Sequence, residues 1–474
     1  MRSFIAWLPE VMLITTGLAL ILFDLAAPKQ RSWVRGFSVG ALALIVVASV
    51  LLAANRASYY GPYFSGMLVL DRFTTYSRLL FGVSGILVLL ASWDFYGDEM
   101  RLEYFALLIF SLVGEIVIVS AQSMLVLFVG IELLALPTYA LTAILKKQVP
   151  AVEAGLKYFL LGMFASIVML YGIALLYGSL GTVSYTTPLF AHVPAASRGL
   201  ALFAFFFLFM GLGFKIVSFP FHFWSPDVYA GGSTPVIAYI STVPKVAIIL
   251  ALFRILGPTF TTDFPTARIF LGALAVLSMT YGNLVALMQT DVRRMLAYSG
   301  ISNTGYAMVA LVAGGADSYV ALMFFLVVYT FANIGAFFVV LGLSGQNPAS
   351  MSDFDGLAKR SPYLALAMAI FLFSLAGTPP MAGFFGKFAL FKSAVEHGFA
   401  YLALVGLLNS VISVGYYLRV TQRMYSYEPT TGDTSPKLSA TIAVPGALRS
   451  ALGVAVAATL LLGVVGIPFL GRFL

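Results

Sequence analysis

Five ionisable side chains lie inside long apolar runs of this chain: Glu132, Lys157, Lys215, Lys245 and Lys387. A charged residue at the centre of a membrane helix costs about 2.5–3.5 kcal/mol on insertion scales, so such residues commonly mark the path of an ion. Four amines and one carboxylate do not suit a pocket for a neutral solute, but they can pass protons among themselves and to water. The sequence therefore predicts a buried proton relay.

Glu132 and Lys215 are the first candidates for this relay. Glu132 lies near the middle of its apolar run with no adjacent lysine, and Lys215 lies well inside its own run, a turn before Pro220. Burial disfavours the charged form of an amine, whereas a nearby carboxylate favours it. A carboxylate that approaches and retreats would therefore switch the proton affinity of the lysine.

Lys157 admits a second interpretation. It stands near the start of its run, four residues after Glu153, where a lysine can pair at i,i+4 or extend its amine to the membrane surface. A position close to Glu132 on a neighbouring helix would favour a role in the relay.

Lys245 and Lys387 lie too deep in their runs to reach the membrane surface easily. Lys245 directly follows Pro244, and Lys387 directly follows Gly386. Both are therefore predicted relay residues.

The three histidines are weaker candidates. His222 lies beside Trp224 at the end of an apolar run, where a histidine is often a hydrogen-bonded surface residue, and it is kept as a secondary relay candidate. His192 and His397 are predicted to lie in outer loops.

The composition requires a membrane to position these groups. The chain has 474 residues, of which 61% are hydrophobic and 10% charged, and its mean hydropathy is +0.97. Continuous rather than alternating apolar runs indicate an all-α polytopic membrane protein and not a β-barrel. The net charge of +8 falls mainly in short loops and does not indicate a nucleic-acid partner.

The sequence predicts no redox centre or metal site in this chain. There is no cysteine, which excludes iron–sulfur ligation and zinc–thiolate sites, and no two histidines are spaced to hold a haem. A proton pump of this composition would take its energy from a partner chain or from an ion gradient.

Fourteen spans of about 20 apolar residues are predicted, the length that crosses the hydrocarbon core. Short loops join them into one membrane domain, 1–474. The predicted spans are 4–23, 34–54, 70–93, 104–120, 122–145, 152–178, 199–222, 233–256, 268–289, 294–313, 318–343, 361–394, 399–423 and 448–470.

Two of these spans, the seventh and the twelfth, contain Gly and Pro residues close to Lys215 and Lys387. Such residues open a helix, and a pair of interrupted spans five apart is typical of a duplicated transporter half. An odd number of spans per repeat predicts inverted repeats. The predicted spans therefore divide the chain into N-terminal helices 1–3 (1–103), a first repeat (104–256), a second repeat (268–423) and a last helix (448–470).

The loops on one side of these spans carry fourteen Lys and Arg residues, and the opposite ends carry nine, Arg78 among them. Basic residues favour the inner face of the membrane. Both termini are therefore predicted on the outer, periplasmic face.

Several runs of the chain resemble the antiporter-like membrane subunits of respiratory complex I, a NADH-quinone oxidoreductase. The resemblance covers nearly the whole chain, and the Pro226-Asp227-Val228-Tyr229 form is similar to the subunit N branch of that family. The runs that carry it are Phe219–Val236, Val129–Pro137, Lys157–Leu160, Asn283–Gln289 and Arg294–Ser299.

The resemblance implies a fourteen-helix proton-translocating subunit with two inverted five-helix repeats and broken helices 7 and 12. It implies that Glu132 and Lys215 form a charge pair modulated by Lys157, that Lys245 is the central connecting lysine, and that Lys387 is the exit-side lysine. It also implies a bacterial inner-membrane location, with antiporter-like subunit M and the small subunits K and J as partners. NADH, FMN, iron–sulfur clusters and quinone would then belong to partner subunits.

Two residues depart from the family pattern. Asn303 stands where the family commonly carries a histidine, and its amide, unlike a histidine, cannot take up a proton between Lys245 and Lys387. Glu115 is unusual for the family, and we expect it either to face another subunit or to support Glu132.

Two other functions are compatible with the same residues. A subunit of a multisubunit Na⁺/H⁺ antiporter shares this ancestry, although the Pro-Asp-Val-Tyr form argues against it. A non-pumping membrane scaffold would use the buried charges only as structural ion pairs.

Overall fold

The computed structural model describes residues 2–26, 32–93, 95–96, 102–186, 193, 195–256, 265–345, 349–426 and 442–471. The described chain is almost entirely helical, apart from one short antiparallel hairpin, β1 (Gly61–Tyr63) and β2 (Leu68–Leu70). The first eight helices are α1 Arg2–Ala26, α2 Ser32–Ala54, α3 Arg56–Tyr59, α4 Arg72–Ser92, α5 Leu102–Ser120, α6 Met124–Thr142, α7 Val149–Leu180 and α8 Arg198–Lys215. The others are α9 Ser225–Gly231, α10 Thr234–Ile240, α11 Val243–Leu256, α12 Pro265–Met288, α13 Val292–Ala313, α14 Gly315–Ser344, α15 Leu357–Arg360, α16 Pro362–Ala376, α17 Ala382–Glu396, α18 Ala400–Ser426 and α19 Gly446–Gly471.

The helices confirm the prediction of an all-α polytopic membrane protein. In the described ranges, 12 helical segments are long and apolar enough to cross a membrane. The two further predicted spans, 294–313 and 361–394, correspond to α13, which carries Arg293 and Arg294 in its first turn, and to the interrupted pair α16 and α17.

The chain folds as two compact units. The first comprises Met1–Ile216 and Val243–Ala267, and the second comprises Val217–Thr242 and Arg268–Leu474. The first unit contains Glu132, Lys215 and Lys245, and the second contains His222 and Lys387.

Helical structure is interrupted at both predicted places. The first break follows Lys215, where Val217 adopts φ 61°, a left-handed conformation that is strained for a β-branched residue. The second break lies between α16 and α17 and begins at Gly377, with φ 81°. Each break contains one cis X-Pro bond, at Phe219–Pro220 and at Pro379–Pro380. The interruptions predicted in the seventh and twelfth spans, 199–222 and 361–394, are thus confirmed.

A third interruption was not predicted. The run 233–256, expected as one continuous span, is divided between α10 and α11 by Ser241 and Thr242. Lys245 is the third residue of α11, immediately after this break. Non-helical backbone at membrane depth is stable only where protein or a water-filled cavity satisfies its polar groups.

Glycines let the helices of the first unit approach closely. A Cβ atom placed on Gly114 of α5 would lie 2.9 Å from the carbonyl oxygen of Gly130 on α6. A Cβ atom on Gly211 of α8 would lie 2.8 Å from the carbonyl oxygen of Ala165 on α7. Small residues at membrane helix contacts allow such backbone approach, and here they pack the helix that carries Glu132 against α5 and the helix that carries Lys215 against α7.

The first unit also contains a buried ion pair that the sequence did not reveal. Arg78 Nε of α4 lies 2.7 Å from Glu10 Oε1 of α1, with side-chain exposures of 0% and 6%. The guanidinium is also 4.9 Å from the centroid of the Trp7 ring. The assignment of Arg78 to the outer basic residues was therefore wrong, because its charge is neutralised inside the helix bundle.

Candidate functional site

Lys215 is the last residue of α8, and its side chain is buried. Its amine donates a 2.8 Å hydrogen bond to the hydroxyl oxygen of Tyr139 on α6. The amine also lies 5.2 Å from the ring centroid of Tyr139 and 5.9 Å from that of Phe214. A tyrosine that sequence analysis did not single out is therefore the direct partner of this lysine.

The position of Tyr139 is fixed by its neighbours on α7. Its ring packs edge-on against Tyr158, with centroids 4.6 Å apart, and against Phe159. A Cβ atom on Gly162 would lie 2.6 Å from Tyr139 Cζ, so only glycine leaves room for the phenol. Tyr139 comes seven residues after Glu132, about two helical turns, which places both on one face of α6. This spacing is the signal that could have identified it.

Glu132 is half-buried, and its Oε1 accepts a 2.5 Å hydrogen bond from Ser166 Oγ on α7. Leu125, Val129 and Leu136 of the same helix are exposed, so Glu132 borders the outward-facing side of α6. No ion pair joins Glu132 and Lys215 in the described chain, and each is bonded instead to a hydroxyl group.

Lys157 forms the local pair that its spacing allows. Its amine lies 2.8 Å from Glu153 Oε1, with side-chain exposures of 44% and 60%. Leu156 and Leu160 on the same helix are exposed too, so this ion pair sits on an otherwise apolar outer face of α7.

Lys245 is buried at the start of α11. It lies in the segment Thr234–Leu256, which contains an 18-residue stretch that is buried throughout, unlike any other membrane-length segment in the described ranges. Its amine therefore has no direct exposure to the membrane surface.

Lys387 of α17 is buried in the second unit. Its amine donates a 3.0 Å hydrogen bond to the carbonyl oxygen of Ala376, at the end of α16, and lies 4.4 Å from the ring centroid of Tyr306 on α13. A Cβ atom on Gly377 would lie 2.9 Å from Lys387 Cδ, so this glycine leaves space for the lysine stem as well as adopting a positive φ.

Tyr306 belongs to a buried polar network between α12, α13 and α18. Its hydroxyl accepts a 3.2 Å hydrogen bond from Asn283 Nδ2, and Asn283 Oδ1 accepts a 3.0 Å bond from the hydroxyl of Tyr416. Asn303, one turn before Tyr306, donates a 2.9 Å hydrogen bond to the carbonyl oxygen of Ser299.

The histidines differ in their surroundings. His222 is buried in the first break, where its ring stacks on Phe219 at 5.6 Å and lies 4.6 Å from Tyr281. Its Nδ1 has no hydrogen-bond partner in the part of the chain that is described. His397 is exposed and bonds through Nδ1 to the carbonyl oxygen of Ser393, whereas His192 lies outside the described residues.

Glu115 is fully buried in α5, one residue after the close approach at Gly114. It therefore does not face a neighbouring subunit, which contradicts one of the two expectations for it. Among the described residues, no group of three or more His, Asp or Glu side chains could hold a metal ion. The lysine, glutamate and tyrosine side chains described above can exchange protons and form ion pairs or hydrogen bonds.

Residues 121–413 match the family described as NADH:quinone oxidoreductase/Mrp antiporter, TM. The chain is 38% identical over 424 residues to NADH-quinone oxidoreductase subunit N of Trichlorobacter lovleyi, covering 88% of this chain and 86% of that one. It is 36% identical to the subunit N of Parvibaculum lavamentivorans over 472 residues, covering 99% and 96%.

A similar chain occurs in the structure of respiratory complex I from Thermus thermophilus with bound aureothin. The TM-score is 0.81 at 32% sequence identity, and the likeness covers 97% of this chain and 96% of that one. On these matches, which extend over nearly all of its length, the chain belongs to the NADH-quinone oxidoreductase subunit N family of antiporter-like membrane proteins.

Proposed function

We propose that this chain translocates protons across the membrane as a subunit of an NADH-quinone oxidoreductase, through a relay formed by Glu132, Lys215, Lys245 and Lys387. The observation that carries the proposal is that each of the three lysines is buried beside an interruption of a membrane helix. Interrupted helices expose backbone carbonyls and admit water, and both can share a proton with an amine.

The first unit supplies two alternative partners for the Lys215 amine. In the present arrangement it donates to Tyr139, while Glu132 is held by Ser166. Release of Glu132 from Ser166 would let the carboxylate approach Lys215 and strengthen its hold on a proton. Its return to Ser166 would release that proton, because a carboxylate favours the charged amine and burial opposes it. Lys157, paired with Glu153 on the outer face, would act on Glu132 only as a modulator.

Lys245 and Lys387 provide the later positions of the relay. Both are buried lysines close to a break, and Lys387 is held by the last carbonyl of α16. His222, buried in the first break beside Tyr281, is a secondary relay candidate. Lys387 would exchange its proton with the outer face.

The relay needs energy from elsewhere, and we propose that quinone reduction in partner subunits supplies it. NADH, FMN, the iron–sulfur clusters and quinone would be bound by those partners, and none by this chain. The proposed membrane neighbours are the antiporter-like subunit M and the small subunits K and J. The proposed location is the bacterial inner membrane, with both termini on the periplasmic face.

The test uses the whole enzyme in inside-out membrane vesicles, with NADH oxidation and acidification of the lumen measured together. Lys215→Ala and Lys387→Ala are expected to lower the protons pumped per NADH while assembly on a native gel is preserved. The matched control is Lys392→Ala, which removes a partly exposed lysine of the same helix as Lys387, paired with Glu396. Unchanged pumping in both relay variants would reject the relay and favour the scaffold, whereas sodium-dependent exchange without NADH oxidation would favour the antiporter.

A further inference from the structure

The Lys387 amine is held by two neutral groups. In the described chain its contacts are the carbonyl oxygen of Ala376 at 3.0 Å and the face of Tyr306 at 4.4 Å, and no ion pair involves it. A carbonyl in the last turn of a helix carries partial negative charge, and so does the face of an aromatic ring. Both groups therefore favour the ammonium form of Lys387 without a carboxylate.

Tyr306 is held so that the face of its ring, and not its hydroxyl, lies against the Lys387 amine. The hydroxyl accepts the hydrogen bond from Asn283, which is itself bonded to Tyr416. The ring packs edge-on against Phe391, one turn after Lys387 on α17, with centroids 6.0 Å apart. The adjacent Gly305 approaches α12 closely, since a Cβ there would lie 2.7 Å from the backbone nitrogen of Met279.

This arrangement differs from that of Lys215. The Lys215 amine donates directly to the hydroxyl of a tyrosine, whereas the Lys387 amine lies over the ring of one. Removing the hydroxyl of Tyr306 leaves the contact with Lys387 in place, while removing the ring eliminates it. The two parts of the tyrosine can therefore be tested separately.

We propose that Tyr306 is a positioning residue for Lys387, whose aromatic face completes a neutral seat for the ammonium group. The seat is formed by Ala376, Gly377 and Tyr306, none of which was predicted from the sequence to contact Lys387. The proposal rests on the proposed proton relay and adds to it a residue that acts through Lys387. Lys387 would then hold and release its proton at a fixed place, without the movement of a carboxylate that Glu132 makes possible for Lys215.

The first experiment compares Tyr306→Phe with Tyr306→Leu in the assembled enzyme, by protons pumped per NADH oxidised. A cation over a desolvated ring is stabilised by the ring itself, so Tyr306→Phe should retain more than about half of the pumping and Tyr306→Leu should lose about fivefold or more. Tyr306→Leu combined with Lys387→Ala should pump no less than Lys387→Ala alone. Equal losses in the Phe and Leu variants would assign the effect to the hydroxyl and overturn the proposal.

A second measurement separates the ring's electrostatic effect from its packing. Starting from the Tyr306→Phe variant, the phenylalanine is replaced by its mono-, di- and trifluorinated forms. These keep the ring's shape and successively weaken the negative charge of its face. Pumping should fall in that order. The same replacements at Phe388, an exposed neighbour of Lys387, are the control and should leave pumping unchanged.

The outcomes distinguish this inference from the relay itself. If Lys387→Ala pumps normally, the relay is wrong and Tyr306 has nothing to position. If Lys387→Ala loses pumping but fluorination at position 306 has no effect, the proposed relay stands and the proposed role of the Tyr306 ring is rejected.

Discussion

The Lys215 amine donates a 2.8 Å hydrogen bond to the hydroxyl of Tyr139, so a buried lysine of α8 is held by a neutral side chain of α6. About two turns earlier on α6, Glu132 is bonded to Ser166 instead. The amine and the carboxylate are thus separated, with each one satisfied by a hydroxyl group. Exchange of these partners is a physical means of changing the proton affinity of Lys215.

Tyr139→Phe tests whether the hydroxyl matters. The ring and its packing on Tyr158 remain, but the Lys215 amine loses its acceptor, and an unsatisfied buried polar group costs about 1–3 kcal/mol, more when it is charged. We expect a partial loss of pumping, smaller than in Lys215→Ala, with assembly preserved. The control is Tyr171→Phe, which removes an exposed hydroxyl from α7. Full pumping in Tyr139→Phe would show that the hydroxyl is dispensable.

Ser166→Ala and Glu132→Gln test the other half of the exchange. Glu132→Gln removes the charge, so pumping should be lost although the hydrogen bond from Ser166 can still form. Ser166→Ala keeps the charge but removes the group that holds Glu132 away from Lys215, so pumping should slow without being abolished. Proton pumping and NADH oxidation are measured together in vesicles. Identical pumping in Ser166→Ala and the parent would exclude a role for this hydrogen bond.

The relay lysines could be predicted because a charged residue inside an apolar run can be recognised from the sequence alone. Tyr306 could not, because a tyrosine in such a run looks the same whether its ring meets a lysine or only fills the core, and for Tyr139 the only signal is its spacing from Glu132. What distinguishes them is contact with a distant helix: Tyr306 and Lys387 are far apart in sequence, and their 4.4 Å separation exists only after folding.

The helix breaks show the same limit. Clusters of Gly and Pro predicted the interruptions beside Lys215 and Lys387, because these residues weaken a helix locally. The break at Ser241 and Thr242 has no such cluster, and its local signal is the single Pro244, which removes the amide that would bond to the Ile240 carbonyl. There the hydroxyl of Tyr329 donates a 3.1 Å bond to the Ser241 carbonyl, and Asn333 donates a 2.8 Å bond to the Ser241 hydroxyl. One side chain of α14 thus bonds to the backbone at the break and another to the Ser241 hydroxyl, and a local pattern cannot reveal either contact.

Gly114→Val tests the close approach of α5 and α6. The added side chain would meet the Gly130 carbonyl and force the helices apart, and overpacking of this kind costs about 1–3 kcal/mol. We expect a lower thermal transition of the purified enzyme and reduced pumping, because α6 carries both Glu132 and Tyr139. The control is Gly178→Ala in α7, where a Cβ meets nothing within 4 Å. Equal transition temperatures for Gly114→Val and the parent would contradict the packing.

The buried ion pair of Glu10 and Arg78 predicts that replacing one partner destabilises the enzyme more than replacing both. Arg78→Met alone leaves the Glu10 carboxylate buried without its partner, and breaking a buried pair in this way costs about 3–5 kcal/mol. Replacing both residues, with Glu10→Gln and Arg78→Met, removes both charges and should restore most of the stability. The measurement is the amount of assembled enzyme and its thermal transition. The exposed pair of Lys146 and Glu103 is the control, since loss of Lys146 should cost little. A double variant as unstable as Arg78→Met would show that the pair acts through something other than mutual neutralisation.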